Sequence, residues 1–254
     1  MKTALFQYDP SWENKEENRN KIHYLMDRYY RGSDLLIFPE MTLTGFTMNT
    51  GSMAEPLEGE THEFFTISAK NYFTDIIAGF IEISDEGNFY NTLLHISRTG
   101  ETKAVYRKIH PFSLSGEDKY YTPGGGTVLS GIDGAGIGLS ICYDLRFPEL
   151  FRQYGKEKAE LIVNIANWPM PRIEHYRTLL KARAIENLCY VAGVNRVGSD
   201  INVAYNGFSS VFSPLGEEII SVQNKEGIFS ADLDFESVKL VRKKFSFLED
   251  IRLI

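Results

Sequence analysis

Three short apolar runs in this chain each deliver a reactive group, and that repetition constrains the fold more than any other feature. Leu35-Leu36-Ile37-Phe38 leads through Pro39 to the carboxylate of Glu40, Val105-Tyr106-Arg107 leads to the ammonium of Lys108, and the glycine-punctuated run 136–141 leads to the thiol of Cys142. The cysteine lies between an apolar run and a helix that opens near Phe147-Pro148, a strand-to-helix junction where a nucleophile is expected. Together the groups have the pattern of a Glu-Lys-Cys catalytic triad.

Around these runs, β-rich and helical patterns alternate. Strands are expected at 3–8, 35–38, 76–83, 92–97, 103–107 and 136–141, with helices at 15–31 and 147–154, the second ended by Gly155. Ile22, Leu25, Met26 and Tyr29 fall on one face of the first helix. Arg98-Thr99-Gly100-Glu101 reads as a hairpin turn, because a glycine in a short polar loop supplies a positive φ. The second half continues with an apolar strand at 161–166 and a helix at 173–187, whose Tyr176, Leu180 and Ala184 step by four toward Leu188. A strand at 189–194 and a meander of 207–212, 217–222 and 227–233 follow, broken at Ser213-Pro214-Leu215-Gly216 and Asn224-Lys225-Glu226-Gly227. This order predicts an α/β protein with sheets covered by helices on their outer faces.

The 254 residues carry no Pro/Gly/Ser-rich linker or charge block, so one domain over 1–254 is expected. A formal net charge of -7 argues against nonspecific binding to nucleic acid or to an anionic membrane. An anionic substrate then needs a local basic group. The N-terminus turns polar at once, without the apolar stretch of a signal peptide, and no run approaches a membrane span. Two cysteines, Cys142 and Cys189, are too few for a disulfide framework, and a reducing cytoplasm fits a free thiol.

A thiol with a pKa of ~8.5 is only a few per cent thiolate at neutral pH, so it needs a base, and a departing amine needs an acid. One carboxylate serves both ends if it first accepts the thiol proton and then returns it to the leaving group, and Glu40 is the candidate. Lys108 and the backbone N–H of Tyr143 could together receive a tetrahedral oxyanion. Each group also has a plain packing role open to it: Cys142 as a small buried hydrophobe, Glu40 as a turn cap, Lys108 as a solvated strand end. Spacing alone does not bring them together.

Phe38-Pro39-Glu40-Met41, Tyr106-Arg107-Lys108-Ile109-His110 and the segment from Cys142 to Glu149 resemble, in order and separation, the signature segments of the nitrilase, or carbon-nitrogen hydrolase, superfamily. The resemblance spans nearly the whole chain. Within the superfamily the chain is most similar to bacterial ω-amidases, through Asn167-Trp168-Pro169, the segment 182–187 and Asn195-Arg196-Val197-Gly198. The resemblance implies a four-layer α-β-β-α sandwich. It also implies Glu40 as base and acid, Lys108 as oxyanion stabiliser, Cys142 as the nucleophile that forms a thioester, and Glu117 as a second glutamate that orients the substrate amide or holds Lys108. An exposed loop carboxylate is the other reading of Glu117. Members of the family usually pair through the helices after the nucleophile and after Asn-Trp-Pro, so a homodimer through 147–155 and 173–187 is expected. The apolar tail, about 235–254, would contact a partner subunit or fold back on its own domain.

An ω-amide of an α-keto dicarboxylate, of the 2-oxoglutaramate or 2-oxosuccinamate type, has a carboxylate at its far end and needs a cation there. Arg172 is the first choice, since a guanidinium grips a carboxylate with two N–H bonds; a salt bridge at a helix start or interface is its other reading. Arg146 is read as organising the nucleophile turn. Phe46 and Trp168 are read as pocket walls, or else as core. An N-carbamoyl amino acid, an aliphatic amide or a nitrile would suit the same triad, and a binding or scaffold protein with a vestigial triad is the reading from another class.

Other signals are discounted. Gly134-Ala135-Gly136-Ile137-Gly138 precedes a strand, whereas a nucleotide-binding glycine fingerprint follows one, so it reads as a turn. Gly124-Gly125-Gly126 reads as a flexible lid segment and Cys189 as inert core. The five histidines lack metal-ligand spacing, and no metal or organic cofactor is implied.

Overall fold

The computed structural model describes residues 1–201 and 203–253. In chain order its elements begin with β1 (Lys2–Gln7), α1 (Lys15–Tyr29), β2 (Leu35–Ile37), α2 (Thr50–Met53), α3 (Glu60–Tyr72), β3 (Asp75–Ile83), β4 (Phe89–Ile96), β5 (Thr102–Arg107), β6 (Leu129–Ile132) and β7 (Ala135–Ile141). They continue with α4 (Pro148–Lys156), β8 (Leu161–Ala166), α5 (Ile173–Asn187), β9 (Tyr190–Asn195), β10 (Val197–Ser199), β11 (Ala204–Phe212), β12 (Glu218–Gln223), β13 (Gly227–Asp232) and α6 (Phe235–Lys244).

Two sheets result. The first has the order β13-β1-β2-β3-β4-β5, with β1, β2 and β3 parallel and the other pairings antiparallel. The second has the order β10-β11-β9-β8-β7-β6, with β12 beside β11 and with β7, β8 and β9 parallel. Alternation along the strands makes the layers. Leu35 and Ile37 of β2, Ile77 of β3 and Leu93 of β4 face the second sheet in one core with Leu139, Val163 and Ile165. Leu36, Ile76, Ala78 and Leu94, the intervening residues, face outward into a second core with Ile22, Leu25 and Met26 of α1 and Phe65 and Ala69 of α3. Helices α4 and α5 cover the second sheet with Phe151, Tyr154, Tyr176 and Leu180. The architecture is the four-layer α-β-β-α sandwich.

Polar latches join the sheets at both edges. Gln7 of β1 is fully buried; it donates to the carbonyls of Val222 and Lys225 and accepts from the N–H and hydroxyl of Ser209. Gly207 makes this possible, because a Cβ there would lie 2.4 Å from the Gln7 Oε1. At the other edge, the buried His95 of β4 bonds Ser130 Oγ of β6 at 2.6 Å, and Arg98 reaches Asp133 at 3.1 Å. Arg98 also pairs with Asp75, which Lys103 approaches to 3.2 Å.

Several boundaries differ from the sequence expectation for identifiable reasons. Helix α4 runs through Gly155 to Lys156: a Cβ on Gly155 would lie 2.6 Å from the Asn187 side chain, so this glycine serves close packing of α4 on α5 and not termination. Helix α1 stops at Tyr29, since Tyr30 turns extended while its N–H still bonds Met26. Helices α3 and α6 had no counterpart in the sequence reading. The start of the C-terminal tail folds back on its own domain. Val238 is fully buried, and Arg242 donates to the carbonyls of Lys158, Ala159, Asn187 and Leu188. Among the described residues no helix is long and apolar enough to cross a membrane.

The Asp75 latch predicts a pH-dependent contribution to stability. Burial opposes the Asp75 charge, but His95, Arg98 and Lys103 outweigh it and hold the carboxyl below its usual range. A depressed carboxylate stabilises the fold above its unfolded pKa of about 4 and loses that contribution as pH falls through the folded value. Asp75→Asn should therefore cost roughly 1–3 kcal/mol at neutral pH. Thermal melts of the two proteins should converge as pH falls below about 4; a gap that stays constant with pH would contradict this account.

Candidate active site

Strand ends build the site. Because β4 reverses twice between β3 and β5, strands β2, β3 and β5 point the same way, and Glu40 and Lys108 follow the carboxyl ends of β2 and β5. Cys142 follows β7, and Asn167 follows β8. Crevices outside the carboxyl ends of strands are where open α/β sheets place ligands. The two sheets bring these ends together over the inter-sheet core.

Local backbone geometry sets each reactive side chain. Cys142 has φ of 45° and Met41, just after Glu40, also has φ of 45°. Non-glycine residues avoid this left-handed region, and such strain concentrates at functional turns. On β3, Gly79 lets the Glu40 turn approach, since a Cβ there would lie 2.7 Å from Met41 N. The Lys108 backbone is gripped on both sides: its N–H donates to Asn91 O at 2.8 Å and its carbonyl accepts from Gly124 N at 2.8 Å. A Cβ on Gly124 would lie 2.0 Å from Arg107 O, so this glycine is packed against the strand and is no part of a lid.

Asp144, fully buried, fixes the turn that carries Cys142. It accepts from Tyr106 Oη at 2.7 Å, Ile141 N at 3.0 Å and His110 N at 3.0 Å, while His110 Nδ1 lies 2.8 Å away. Tyr106 and His110 flank Lys108 in the chain, so one carboxylate registers the cysteine turn against the lysine. The elbow is organised by Asp144, not by Arg146 as its sequence position implied.

Lys108 is 2% exposed, Glu40 1% and Glu117 0%. The Lys108 Nζ lies 2.9 Å from Glu40 Oε1 and 3.0 and 2.8 Å from the two oxygens of Glu117. Glu117 is thus a buried partner of Lys108, and the exposed-loop reading is excluded. Asn91 donates to Glu40 Oε1 at 2.7 Å and to Glu117 Oε1 at 2.9 Å. Asn167 donates its N–H to Glu40 Oε2 at 2.8 Å and its side-chain amide to the Glu40 carbonyl at 2.7 Å. With Phe112 N on its Oε2 at 2.5 Å, Glu117 accepts four hydrogen bonds, which is its full capacity.

Electrostatics follow from this packing. Burial opposes the Lys108 charge, but Glu117 and Glu40 outweigh it, so the ammonium holds its proton well above the usual range. Burial pushes the Cys142 thiol well up; Glu40 adds to this and Lys108 opposes it. Burial also raises Glu117, with Lys108 pulling against it and Glu40 adding to it. Cys189 is a second buried thiol, pushed up to about 12 chiefly by burial. It belongs to the core, as expected.

Cys142 and Lys108 open on a cavity of about 510 Å³ whose walls include Phe46, Phe112, Tyr143, Trp168, Arg146 and Arg172. Phe46 sits beside the ammonium, 5.6 Å from Nζ to ring centre. Trp168 donates its indole N–H to Arg172 O at 2.8 Å and receives the Arg146 guanidinium over its ring at 4.9 Å. Arg172 lies 5.5 Å over the Phe112 ring. Among the described residues neither arginine makes an ion pair with a carboxylate; Arg146 meets His175 Nδ1 at 3.3 Å. Glu13 and Asp200 also reach the cavity, the first held by Thr47 and Asn49 and the second by Tyr205. Among the described residues no group of three or more His, Cys, Asp or Glu is placed to hold a metal ion.

Sequence reasoning named Glu40, Lys108, Cys142, Glu117, Tyr143, Arg172, Trp168 and Phe46, and the structure gathers all of them around this cavity or directly behind it. It missed Asn91, Asp144 and the part played by Asn167. A polar side chain inside an apolar strand or at its end was the available signal.

The carbon-nitrogen hydrolase family pattern matches residues 2–243. A 2-oxoglutaramate amidase of Bacillus subtilis (strain 168) is 32% identical over 253 residues, 98% of this chain and 96% of that protein. Omega-amidase YafV of Escherichia coli (strain K12) is 35% identical over 98% of this chain and 96% of its own length. Among solved structures, XC1258 of Xanthomonas campestris, a CN-hydrolase superfamily protein with an arsenic adduct in its active site, superposes with a TM-score of 0.95 at 30% identity, covering 100% of this chain and 98% of that one. A chain with this fold, this cavity and a match along nearly its whole length belongs to the carbon-nitrogen hydrolase family of enzymes.

Proposed function

We propose that this enzyme hydrolyses the ω-amide of a small α-keto dicarboxylate, of the 2-oxoglutaramate type, to the dicarboxylate and ammonia. The observation that carries the substrate class is the pair Arg146 and Arg172, two guanidinium groups without carboxylate partners among the described residues, facing the cavity that holds Cys142. Such a pair suits the far carboxylate of an anionic amide. The names of the Bacillus and Escherichia relatives point the same way.

The reaction follows from the donors and acceptors in place. Cys142 Sγ attacks the amide carbon while its proton passes to Glu40, because a thiol raised by burial does not ionise unaided. The carbonyl oxygen becomes an oxyanion facing the Lys108 ammonium and the Tyr143 N–H, which lies in the first turn of a short helix where such groups lack intrahelical acceptors. Glu40 returns the proton to nitrogen, the carbon-nitrogen bond breaks, and ammonia leaves a thioester on Cys142. Water then attacks the thioester carbon and gives its proton to Glu40; the carbon-sulfur bond breaks, and the sulfur is reprotonated. Glu117, saturated with donors, holds Lys108 and exchanges no proton during turnover.

Ammonia release should be measured with 2-oxoglutaramate, glutamine, an N-carbamoyl amino acid and an aliphatic nitrile. Preference for the oxo-acid amide is expected, and its absence sinks the substrate assignment. Cys142→Ala should abolish turnover with the thermal transition retained, and the trapped acyl adduct in the parent enzyme should map to Cys142 by mass spectrometry, not to Cys189. Arg172→Met should lower kcat/KM for the oxo-acid amide about 10–100-fold, the worth of a charge-assisted carboxylate contact. For a neutral amide such as propionamide the same change should matter little. Equal losses on both substrates would assign Arg172 to structure.

The pH profile should be asymmetric. Activity should fall on the acid side as Glu117, raised by burial, takes up a proton and loosens its hold on Lys108. No alkaline fall from Lys108 is expected through the mildly basic range, because both glutamates hold its proton well above the ordinary lysine value. A kcat/KM profile with a descending limb near pH 8 would contradict this.

A further inference from the structure

We infer that Asn91 is a positioning residue for the reaction: its amide NH2 bridges the two glutamates, occupies Oε1 of each, and leaves Oε2 of Glu40 as the atom that exchanges the proton. This rests on Glu40 being the base. Asn91 lies in β4, is 1% exposed and does not line the cavity, so it acts through its neighbours and not on substrate.

The hydrogen-bond count separates the four carboxylate oxygens. On Glu40, Oε1 takes Lys108 Nζ at 2.9 Å and Asn91 Nδ2 at 2.7 Å, while Oε2 takes one close donor, Asn167 N at 2.8 Å, and one distant donor at 3.4 Å. A charged donor and a short neutral donor on Oε1 make Oε2 the more basic oxygen. On Glu117 both oxygens are saturated, Oε1 by Lys108 and Asn91, Oε2 by Lys108 and Phe112 N. Of the four oxygens, Glu40 Oε2 is the most weakly bonded and so the best placed to take a further proton.

The other end of the same side chain explains why an asparagine is present. Asn91 Oδ1 is buried with no hydrogen-bond partner among the described residues. An unpaired buried carbonyl is costly, and an apolar residue in β4 would avoid it. Turning the amide over would aim that oxygen at two carboxylates and lose both donors. The two ionised glutamates therefore fix its orientation and supply its reason for being polar.

The cluster carries two carboxylates against one ammonium. Each donor that favours the charged forms lowers the pH at which the pair first gains a proton. The other titratable groups facing it are the Cys142 thiol and the phenols of Tyr121 and Tyr176, both raised by burial and so neutral. Among the described residues, Asn91 is the one neutral side chain that donates to both glutamates.

The test uses two readouts on the intact enzyme: the pH dependence of Cys142 alkylation by iodoacetamide, which requires no knowledge of substrate, and the pH dependence of kcat/KM. For Asn91→Leu the acid limb of both should move up by about one pH unit, a loss of about fivefold at the original midpoint that approaches tenfold below it. For Asn91→Asp, which keeps the shape and adds a third acid, it should move further in the same direction. An acid limb that stays in place in both variants, whether or not activity falls, overturns the inference. If Asn91→Leu fails to fold, Asn91→Asp decides alone. A limb that shifts in alkylation while 2-oxoglutaramate remains unhydrolysed upholds Asn91 and overturns only the substrate assignment.

Discussion

The ammonium of Lys108, buried between Glu40 and Glu117, is the interaction on which the arrangement depends. A charge so enclosed is tolerated only where opposite charge and hydrogen bonds surround it, and removing one partner of such a pair commonly costs several kcal/mol. Here the partners come from separate parts of the chain: Glu40 after β2, Glu117 from a short turn beyond β5, and Asn91 from β4. Meeting at one point requires that both sheets be formed and stacked, since Glu40 also receives Asn167 from the end of β8. The reactive cluster and the sandwich are therefore stabilised together.

A second buried carboxylate with a different task complements the first pair. Asp144 joins the cysteine turn to Tyr106 and His110 on either side of Lys108, and the His110 ring stacks on Phe147 at 3.7 Å. This fixes the relative position of thiol and ammonium without placing another charge in the cavity. The left-handed backbone at Cys142 and at Met41 is held by these contacts and by the close approach that Gly79 permits. Strain of this kind persists only where the surroundings over-determine it.

The sequence made the strand ends legible because each reactive group follows an apolar run, and the helix 173–187 was read at its observed bounds because its buried positions step evenly. Helices α3 and α6 were missed: α3 fills its buried face with Thr61 and Ser68 beside Phe65 and Ala69, and α6 is short and buries little beyond Val238. Asn91 and Asp144 were illegible because their importance lies in which distant groups they touch. An asparagine in Tyr90-Asn91-Thr92 looks like an ordinary polar step in an alternating strand. Arg146 was misplaced because it lies within the cysteine segment, although its side chain turns toward Trp168 and the cavity.

The separation between chemistry and recognition has an electrostatic basis. With both glutamates ionised, Glu40, Glu117 and Lys108 sum to one negative charge, and the chain as a whole carries -7. An anionic substrate is repelled by that field unless cations are placed where its far end will lie. Removing one glutamate would relieve the repulsion, but it would deprive the proposed reaction of its base or leave Lys108 short of a partner. Under the proposed function, Arg146 and Arg172 would resolve the conflict at the cavity wall, over aromatic rings that leave their charge unneutralised. A substrate of the proposed class would then present its amide to a negatively charged cluster while its carboxylate rests against positive charge, and the choice of amide would be made at a distance from the atoms that break it.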